Sequence, residues 1–190
     1  EIHEGQVFQA KGFPYNLKTL LGDSTACSHW APVLEGGKFL TLRLTSSMYH
    51  RFHAPHDAAL EHVTYISGDT WNVNPIALAR VEQLFCKNER AVLHMRLHNG
   101  IPFLLVPVAA VLVASMRLHA VDVLLNLRYK GPNEIAAHAD YAKGQEMGWF
   151  EHGSTIVIVT SERWQPLISL KTGARLHLGQ AVFEHADQAI

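Results

Sequence analysis

Short runs of apolar and β-branched residues, separated by turn residues, dominate this sequence and constrain its fold most strongly. Residues 38–44 alternate with a period of two, which places one set of side chains on a buried face of a strand. The apolar runs 91–97 and 101–106 flank an Asn99-Gly100 pair. Such a pair favours a β-hairpin, because both residues tolerate a positive φ. This part of the chain therefore predicts antiparallel sheet.

The remaining strands are expected from similar patterns. Residues 155–160 are entirely β-branched, which is typical of a strand inside a sheet. Further strands are expected at 109–118, 121–129, 166–170 and 174–178, the last two joined as a hairpin by a turn at 171–173. The stretch 131–142 is the least hydrophobic, and we expect it to cross over the sheet as an excursion.

Helices are predicted to be few and short. Residues 17–21 follow Asn16, a good N-cap, and stop at Gly22. A second helix is predicted over 75–87, with Asn74 as its cap and a proline at its first position. The sequence therefore predicts one mainly β domain of the α+β type over residues 1–190, a β-rich sandwich or barrel-like fold with a few short helices.

Composition and charge exclude several classes of protein. Of the 190 residues, 48% are hydrophobic and 17% are charged, against a usual charged share of about 25%. The chain can therefore bury a substantial core and is not a disordered polymer. Sixteen Lys and Arg against seventeen Asp and Glu give a net charge of −1, which argues against a nucleic-acid partner. The longest apolar run, 101–116, is interrupted by two prolines and is shorter than the ~20 residues of a membrane span.

The two cysteines, Cys27 and Cys86, do not form a C-x-x-C pair. One disulfide between them is possible. Two free thiols in a reducing compartment are the favoured interpretation.

Histidine is unusually frequent, with 13 residues, and three of them lie close together as His50, His53 and His56. Three histidines could bind Zn²⁺. However, Pro55 interrupts a helix, and on a strand residues three apart point to opposite faces, so we expect no metal site.

Gly153 and Ser154 stand directly before the apolar strand at 155–160. A glycine lets the backbone be approached closely, and the serine hydroxyl can attack its own preceding carbonyl carbon once a base removes its proton. The acyl group would then shift from nitrogen to oxygen, and elimination and hydrolysis would leave a pyruvoyl group at the new N-terminus. Because a Gly-Ser pair alone is usually a loop, this interpretation needs the surrounding motifs.

Those motifs give the sequence a resemblance to the phosphatidylserine decarboxylase family. They occur in family order and span nearly all of residues 6–181, and the YHRFH, NER and KGQEMG-x-F-x-x-GST segments are the most specific. The matching segments are 9–12, 15–17, 20–22, 49–55, 72–74, 84–85, 88–90, 108–115, 143–150, 153–155 and 178–180.

The resemblance implies a self-processing proenzyme. Cleavage between Gly153 and Ser154 would give a β subunit of residues 1–153 and an α subunit of residues 154–190, which begins with the pyruvoyl group made from Ser154. His53 matches the family's base for self-cleavage, and His50 matches a histidine implicated in the decarboxylation steps. The pyruvoyl cofactor would condense with the substrate amine and accept electrons as CO₂ leaves.

The resemblance also implies an activity, that of a carboxy-lyase converting phosphatidylserine to phosphatidylethanolamine and CO₂. Two alternatives remain open: a pyruvoyl decarboxylase of a soluble amino acid or derivative, and a binding domain that never cleaves. We expect a phospholipid substrate, a homodimer, and peripheral association with the cytoplasmic face of a membrane through a segment absent from this chain. The chain by itself is expected to be soluble.

The sequence departs from the family pattern at several points. The family's aspartate that orients the base histidine lies in an Asp-Gly pair, and no aspartate here precedes a glycine, so the partner of His53 is expected upstream of this chain. His152 replaces a residue that is often leucine. Arg51 could bind a substrate carboxylate or phosphate, or form a structural salt bridge. Residues 88–90 are expected to support the core or the site, with a solvated turn as the alternative.

Overall fold

Antiparallel strands of two to nine residues build most of the computed structural model, which describes residues 2–3, 6–7, 13–45, 47–110, 115–126, 128–151, 154–167 and 170–185. The strands are β1 Ile2–His3, β2 Gln6–Val7, β3 Tyr15–Asn16, β4 Phe39–Leu44, β5 Arg51–His53, β6 Ala58–Ile66, β7 Arg90–Leu97, β8 Pro102–Ala109, β9 Ser115–Leu118, β10 Val121–Asn126, β11 Glu134–Tyr141, β12 Glu146–Phe150, β13 Ser154–Thr160, β14 Trp164–Pro166 and β15 Phe183–His185. The helices are α1 Leu17–Leu21, α2 Thr25–Trp30, a 3-10 helix Ala31–Leu34, α3 Pro75–Leu78 and α4 Leu84–Lys87.

Two antiparallel sheets enclose the main hydrophobic core. The larger sheet has the order β11-β6-β7-β8-β13-β4, and the smaller has the order β10-β9-β12-β5. Phe52, Met116 and Phe150 of the smaller sheet share one buried cluster with Ala109 and Ile156 of the larger. The predicted β-rich α+β fold is confirmed. Throughout, the inner face of each sheet is the one that faces this cluster.

The hairpin predicted around Asn99-Gly100 is confirmed as β7 and β8. Leu93 pairs with Leu105 in its ladder, and Gly100 adopts a φ of 90° at the turn. The strand predicted from β-branched residues is also confirmed. It is β13, which lies between β8 and β4 with every side chain buried.

Helix α1 begins and ends at the predicted residues. The Asn16 side chain accepts a hydrogen bond from the Lys18 amide, and Gly22 ends the helix with a φ of 83°. Leu20 and Leu21 are buried, and they belong to a second core cluster on the outer face of the larger sheet.

The single helix predicted over 75–87 is wrong. Asn74 caps α3 as expected, but this helix ends at Leu78, and α4 starts only at Leu84. Gln83 has a left-handed φ of 52°, which the regular helix cannot contain.

The excursion predicted at 131–142 is wrong as well, because β11 lies within this stretch. It forms an edge of the larger sheet and pairs with β6, for example Ile135 with Val63. An edge strand with one solvated face needs few apolar residues, which accounts for the low hydrophobicity.

The last predicted hairpin is wrong except for its turn. The Ala174 amide donates to the Lys171 carbonyl, and Gly173 has a φ of 86°, but 174–178 forms no strand. Instead β14 pairs with β15, so that Trp164 lies opposite His185. Residues 168–169 of the predicted strand, and residues 111–114 of the one predicted at 109–118, lie outside the described residues.

Cys27 and Cys86 are both free cysteines, and Cys27 is buried. Within the described part of the chain, none of the helices has the length and apolar character required to traverse a bilayer.

Candidate active site

Ser154 is the first residue of β13 and lies at the end of the larger sheet. It pairs with Leu44 on one side and with Ala109 on the other. On a strand, residues two apart point to the same face. Ser154 therefore shares its face with Ile156 and Ile158, which belong to the main core, and points to the inner face. The residue has 0% exposure, and its Oγ has no hydrogen-bond partner among the described residues. A buried hydroxyl without a partner costs about 1–3 kcal/mol, which is unusual for a structural serine and fits a reacting atom.

A chain of contacts links Ser154 to strand ends in both sheets. The Ala109 amide donates to the Glu89 carbonyl at 2.8 Å. The Tyr65 hydroxyl contacts Glu89 Oε1 and the Asn126 carbonyl. Asn126 pairs with Ser115, and the Glu151 amide donates to the Ser115 carbonyl. Residue 151 precedes Ser154 by three positions in the sequence, so the first and last members of this series are near neighbours along the chain. We call this series the strand-end ring: Ser154, Ala109, Glu89, Tyr65, Asn126, Ser115 and Glu151.

His50 lies beside this ring. The Phe150 amide donates to the His50 carbonyl at 3.0 Å, four residues before Ser154. His53 instead lies opposite Glu146, three residues further along β5, which corresponds to about 10 Å on extended backbone. The register of β5 and β12 therefore brings His50 to the Ser154 end of the strand and His53 to the opposite end.

The two histidines also point to different faces of the smaller sheet. Phe52 is buried in the main core, whereas Arg51 is exposed. With a period of two, His50 shares the inner face with Phe52, and His53 shares the outer face with Arg51. In agreement, Nε2 of His50 is buried and has no partner within the described residues. This arrangement agrees with the expectation that residues three apart on a strand point to opposite faces.

His53 is held by two contacts. Its Nδ1 lies 2.9 Å from the Gly144 carbonyl, and its Nε2 lies 2.9 Å from the Tyr49 hydroxyl, whose ring stacks on the imidazole. A carbonyl can only accept, so Nδ1 carries the proton and Nε2 is the basic nitrogen. The Gly144 carbonyl thus orients the ring and sets its tautomer, which is the task expected of an aspartate.

A direct hydrogen bond between His53 and Ser154 Oγ, as expected for the base, is not formed in this structure, because both ring nitrogens have other partners. Contact through one water stays a prediction. Gly153 and His152 lie outside the described residues, as do the matching residues 9–12.

Asn88 and Arg90 have structural partners. The Asn88 side chain donates to the Trp71 and Ala109 carbonyls, which ties a surface loop to the end of β8. Arg90 donates to carbonyl oxygens of α1, α4 and residue 88. The expectation that 88–90 supports the core is borne out for these two residues, and a solvated turn is excluded because all three residues are buried.

Glu89, between them, is a buried acid that the sequence analysis named only as part of the NER segment, without a role of its own. It has 0% exposure, and its Oε1 contacts Tyr65 at 2.6 Å, whereas Oε2 has no partner among the described residues. Burial raises the pKa of Glu89 from 4.5 to about 7, although the Tyr65 hydroxyl acts to lower it. A carboxyl group directly before an apolar strand was the available signal. Its companion Tyr65 lies on β6, a strand the sequence did not predict.

Arg51 and His56 take part in other interactions. Arg51 forms an ion pair with Glu146 at 2.6 Å and lies over the Trp149 ring, which supports the structural salt bridge. His56 Nδ1 contacts the Asp57 carbonyl. The three histidines at 50, 53 and 56 do not converge, and among the described residues no group of three His, Cys, Asp or Glu could hold a metal ion.

Known proteins that are similar to this chain belong to the family whose motifs the sequence carries. The family model described as phosphatidylserine decarboxylase matches residues 1–184. A protein of Brevibacillus brevis named phosphatidylserine decarboxylase proenzyme is 34% identical over 185 residues, which cover 96% of this chain and 65% of that protein.

Two further relatives carry the same name. The protein of Pseudoalteromonas translucida is 39% identical over 83% of this chain and 56% of its own length. The protein of Idiomarina loihiensis is 37% identical over 83% of this chain and 55% of its own length. The chain thus spans between about half and two thirds of the length of these relatives.

Proposed function

Because this chain belongs to the phosphatidylserine decarboxylase family, we propose that the protein cleaves itself between Gly153 and Ser154 and then decarboxylates phosphatidylserine to phosphatidylethanolamine and CO₂. The observation that carries the proposal is Ser154 itself. It combines complete burial, a position at the first residue of an interior strand, and a hydroxyl without a hydrogen-bond partner among the described residues.

Self-cleavage requires a base for the Ser154 hydroxyl, and we assign this role to His53. Its Nε2 is the basic nitrogen in the tautomer that Gly144 selects. Because His53 lies on the outer face at the opposite end of β5, it takes the Oγ proton only after the end of β5 has moved and the contact with Tyr49 is exchanged. Oγ then attacks the Gly153 carbonyl carbon, the C–N bond breaks, and the proton passes to the Ser154 nitrogen, which leaves an ester.

Elimination completes the conversion of the chain. A base removes the Cα proton of residue 154, the Cβ–O bond breaks, and Gly153 departs as a carboxylate. Water then replaces the nitrogen, which leaves as ammonia. The products are a β subunit of residues 1–153 and an α subunit of residues 154–190, which begins with a pyruvoyl group.

The buried, unpartnered position of Ser154 fits a pyruvoyl group, since no side-chain hydrogen bond is lost when the hydroxyl is removed. That group supplies a ketone that binds the substrate amine and accepts the electron pair left by CO₂. His50 shares the inner face with Ser154, and its free Nε2 is placed to hold the proton that replaces CO₂ on the substrate carbon. The surrounding apolar core excludes water from this step.

We propose a phospholipid substrate, a homodimer, and docking at the cytoplasmic face of a membrane. An assay comparing phosphatidylserine vesicles with free serine and phosphoserine separates the lipid substrate from the soluble alternative. Decarboxylation of only the soluble amino acids would contradict the lipid assignment.

Mass spectrometry of the purified protein tests the processing. We expect pieces of 153 and 37 residues, the smaller one lighter than its serine-terminated form by one ammonia and blocked to Edman degradation. Ser154→Ala should remain a single chain, because no hydroxyl remains to attack, whereas Ser161→Ala, at a second buried serine of the same region, should cleave normally. An intact wild-type chain with full decarboxylase activity would overturn the proposal, and an intact, inactive wild-type chain would favour a binding domain.

A further inference from the structure

Glu89 lies in the same cross-strand row as the reacting residue. Ser154 pairs with Ala109, and the Ala109 amide donates to the Glu89 carbonyl, so the three residues lie side by side on β13, on β8 and just before β7. Residues in one row project to the same face of a sheet. The side chains of Ser154 and Glu89 therefore both point inward, on the two sides of Ala109 in this row.

The contacts of Tyr65 indicate which protonation state of Glu89 the fold favours. Its hydroxyl lies 2.6 Å from Glu89 Oε1 and 2.8 Å from the Asn126 carbonyl. One hydroxyl proton cannot serve two acceptors. Both contacts are satisfied when a protonated Glu89 donates to Tyr65 and Tyr65 donates to Asn126. Burial acts in the same direction, since it raises the pKa of Glu89 to about 7.

Decarboxylation requires a proton donor near the reacting carbon. A substrate carboxylate leaves as CO₂ and a proton takes its place on carbon, so each turnover consumes one proton. In the proposed function this proton comes from His50, a half-buried residue whose Nε2 is buried, and this nitrogen must be reprotonated before the next turnover. Asn126 is half-buried, whereas Tyr65 and Glu89 are buried, so these three residues lead from near the surface toward Ser154.

We propose that Tyr65 and Glu89 form a proton relay that reloads the Ser154 site, with Glu89 as the buried acid that returns a proton to His50 after each decarboxylation. The inference rests on the proposed function. Glu89 acts through His50 and is therefore a positioning residue that need not touch the substrate. When it gives up its proton, the Tyr65 hydroxyl turns from Asn126 to Glu89, and a proton from solvent restores the first arrangement.

The test uses the full-length protein with Glu89→Gln and Tyr65→Phe. Glutamine keeps the shape of the side chain and an acceptor for Tyr65, but it cannot relay a proton. Both variants should cleave like the wild type and bind amine substrate equally, as measured by reductive capture with borohydride. Turnover should fall by about 10²-fold at unchanged KM. In Glu89→Gln, the change of turnover with pH near pH 7 should disappear.

A matched control and a second readout separate the relay from general damage. Tyr141→Phe removes the hydroxyl of another tyrosine that belongs to the same core and should change neither turnover nor pH profile. On the unprocessed Ser154→Ala chain, infrared spectroscopy should show one carboxylic-acid band that disappears as the pH rises through about 7. The band should be absent in Glu89→Gln, and Tyr65→Phe should shift its midpoint, because the hydroxyl that contacts Glu89 Oε1 is gone; an unchanged midpoint would contradict the coupling of the two groups.

Each other outcome overturns the relay. Wild-type turnover and an unchanged pH profile in both variants would remove Glu89 and Tyr65 from proton supply, as would an infrared band that persists in Glu89→Gln. A Glu89→Gln chain that folds but does not cleave would assign Glu89 to self-processing instead. If the wild-type protein itself neither cleaves nor decarboxylates, the proposed function fails first, whereas an active wild type with fully active variants contradicts the relay alone.

Discussion

At the scale of single residues, His50 and His53 differ in the face of the sheet toward which they point and in the hydrogen-bond partners of their ring nitrogens. His53 lies toward the outer face with both nitrogens bonded, and His50 lies toward the inner face with a buried, unpartnered Nε2. The sequence places them three residues apart and indicates that extended backbone separates them. Only the register of β5 against β12 shows which one lies near Ser154.

His53→Ala should stall self-cleavage while leaving the fold intact, because the base for the Ser154 hydroxyl is lost. Gel analysis of the purified variant should show one uncleaved chain with a wild-type circular dichroism spectrum. His56→Ala, at a neighbouring histidine whose ring contacts Asp57 and Trp164, should cleave normally. Maturation of His53→Ala at the wild-type rate would show that His53 is not the base.

His50→Ala should leave cleavage intact and reduce turnover by about 10²–10⁴-fold, the usual contribution of a positioned acid. Cleavage and CO₂ release are measured on the same sample, and reductive capture of an amine confirms that the site still binds substrate. Failure of His50→Ala to cleave would transfer the role of the self-cleavage base to His50. Normal turnover would remove it from the reaction.

At the scale of elements, strand β12 aligns the smaller sheet with Ser154. It lies between β9 and β5, and Gly148 faces Leu118 on one side and Phe52 on the other. A Cβ at this position would lie 2.1 Å from the Arg117 carbonyl oxygen and 2.9 Å from the Phe52 ring. Only glycine lets the three strands approach this closely, so the position of His50 depends on it.

Gly148→Ala should therefore destabilise the fold by about 1–3 kcal/mol or more and slow self-cleavage, as measured by urea unfolding and by gel analysis of maturation. Gly100→Ala is the matched control. It introduces strain at a φ of 90° but meets no atom within 4 Å, so it should cost about 1 kcal/mol and leave the cleavage rate unchanged. Equal cleavage rates in the two variants would contradict the role assigned to β12.

At the scale of the whole molecule, two buried groups act on stability in opposite directions. The pKa of Glu89 is raised by burial from 4.5 to about 7, so its contribution to stability is lost as the pH rises through this range. The pKa of His94 is lowered by burial from 6.5 to about 4, so its contribution is lost as the pH falls through that range. Between pH 4.5 and 6.5 the two slopes oppose each other.

Urea unfolding of the single-chain Ser154→Ala protein should therefore show a stability that changes little between pH 4.5 and 6.5. Adding Glu89→Gln removes the Glu89 contribution, which decreases as the pH rises. The free energy of unfolding should then increase with pH over the same interval, because the His94 contribution remains. Adding Lys171→Gln, at an exposed turn, should leave the flat profile unchanged. A flat profile that persists in Glu89→Gln would contradict the linkage.

Local patterns in the sequence determine much of this protein. Turn chemistry, capping and side-chain alternation act over a few positions. Neighbouring residues therefore determine the Asn99-Gly100 hairpin, the capped helix α1, the buried strand over 155–160 and the motifs shared with the family.

Tertiary structure decided the rest, since strand pairing joins residues far apart in the chain. It made a polar stretch into the edge strand β11, paired β14 with β15 in place of the expected hairpin, and divided the helix at Gln83. It also turned His50 inward and His53 outward, and it placed Glu89 in the row of Ser154, because a row across a sheet is set by register, which no local pattern contains.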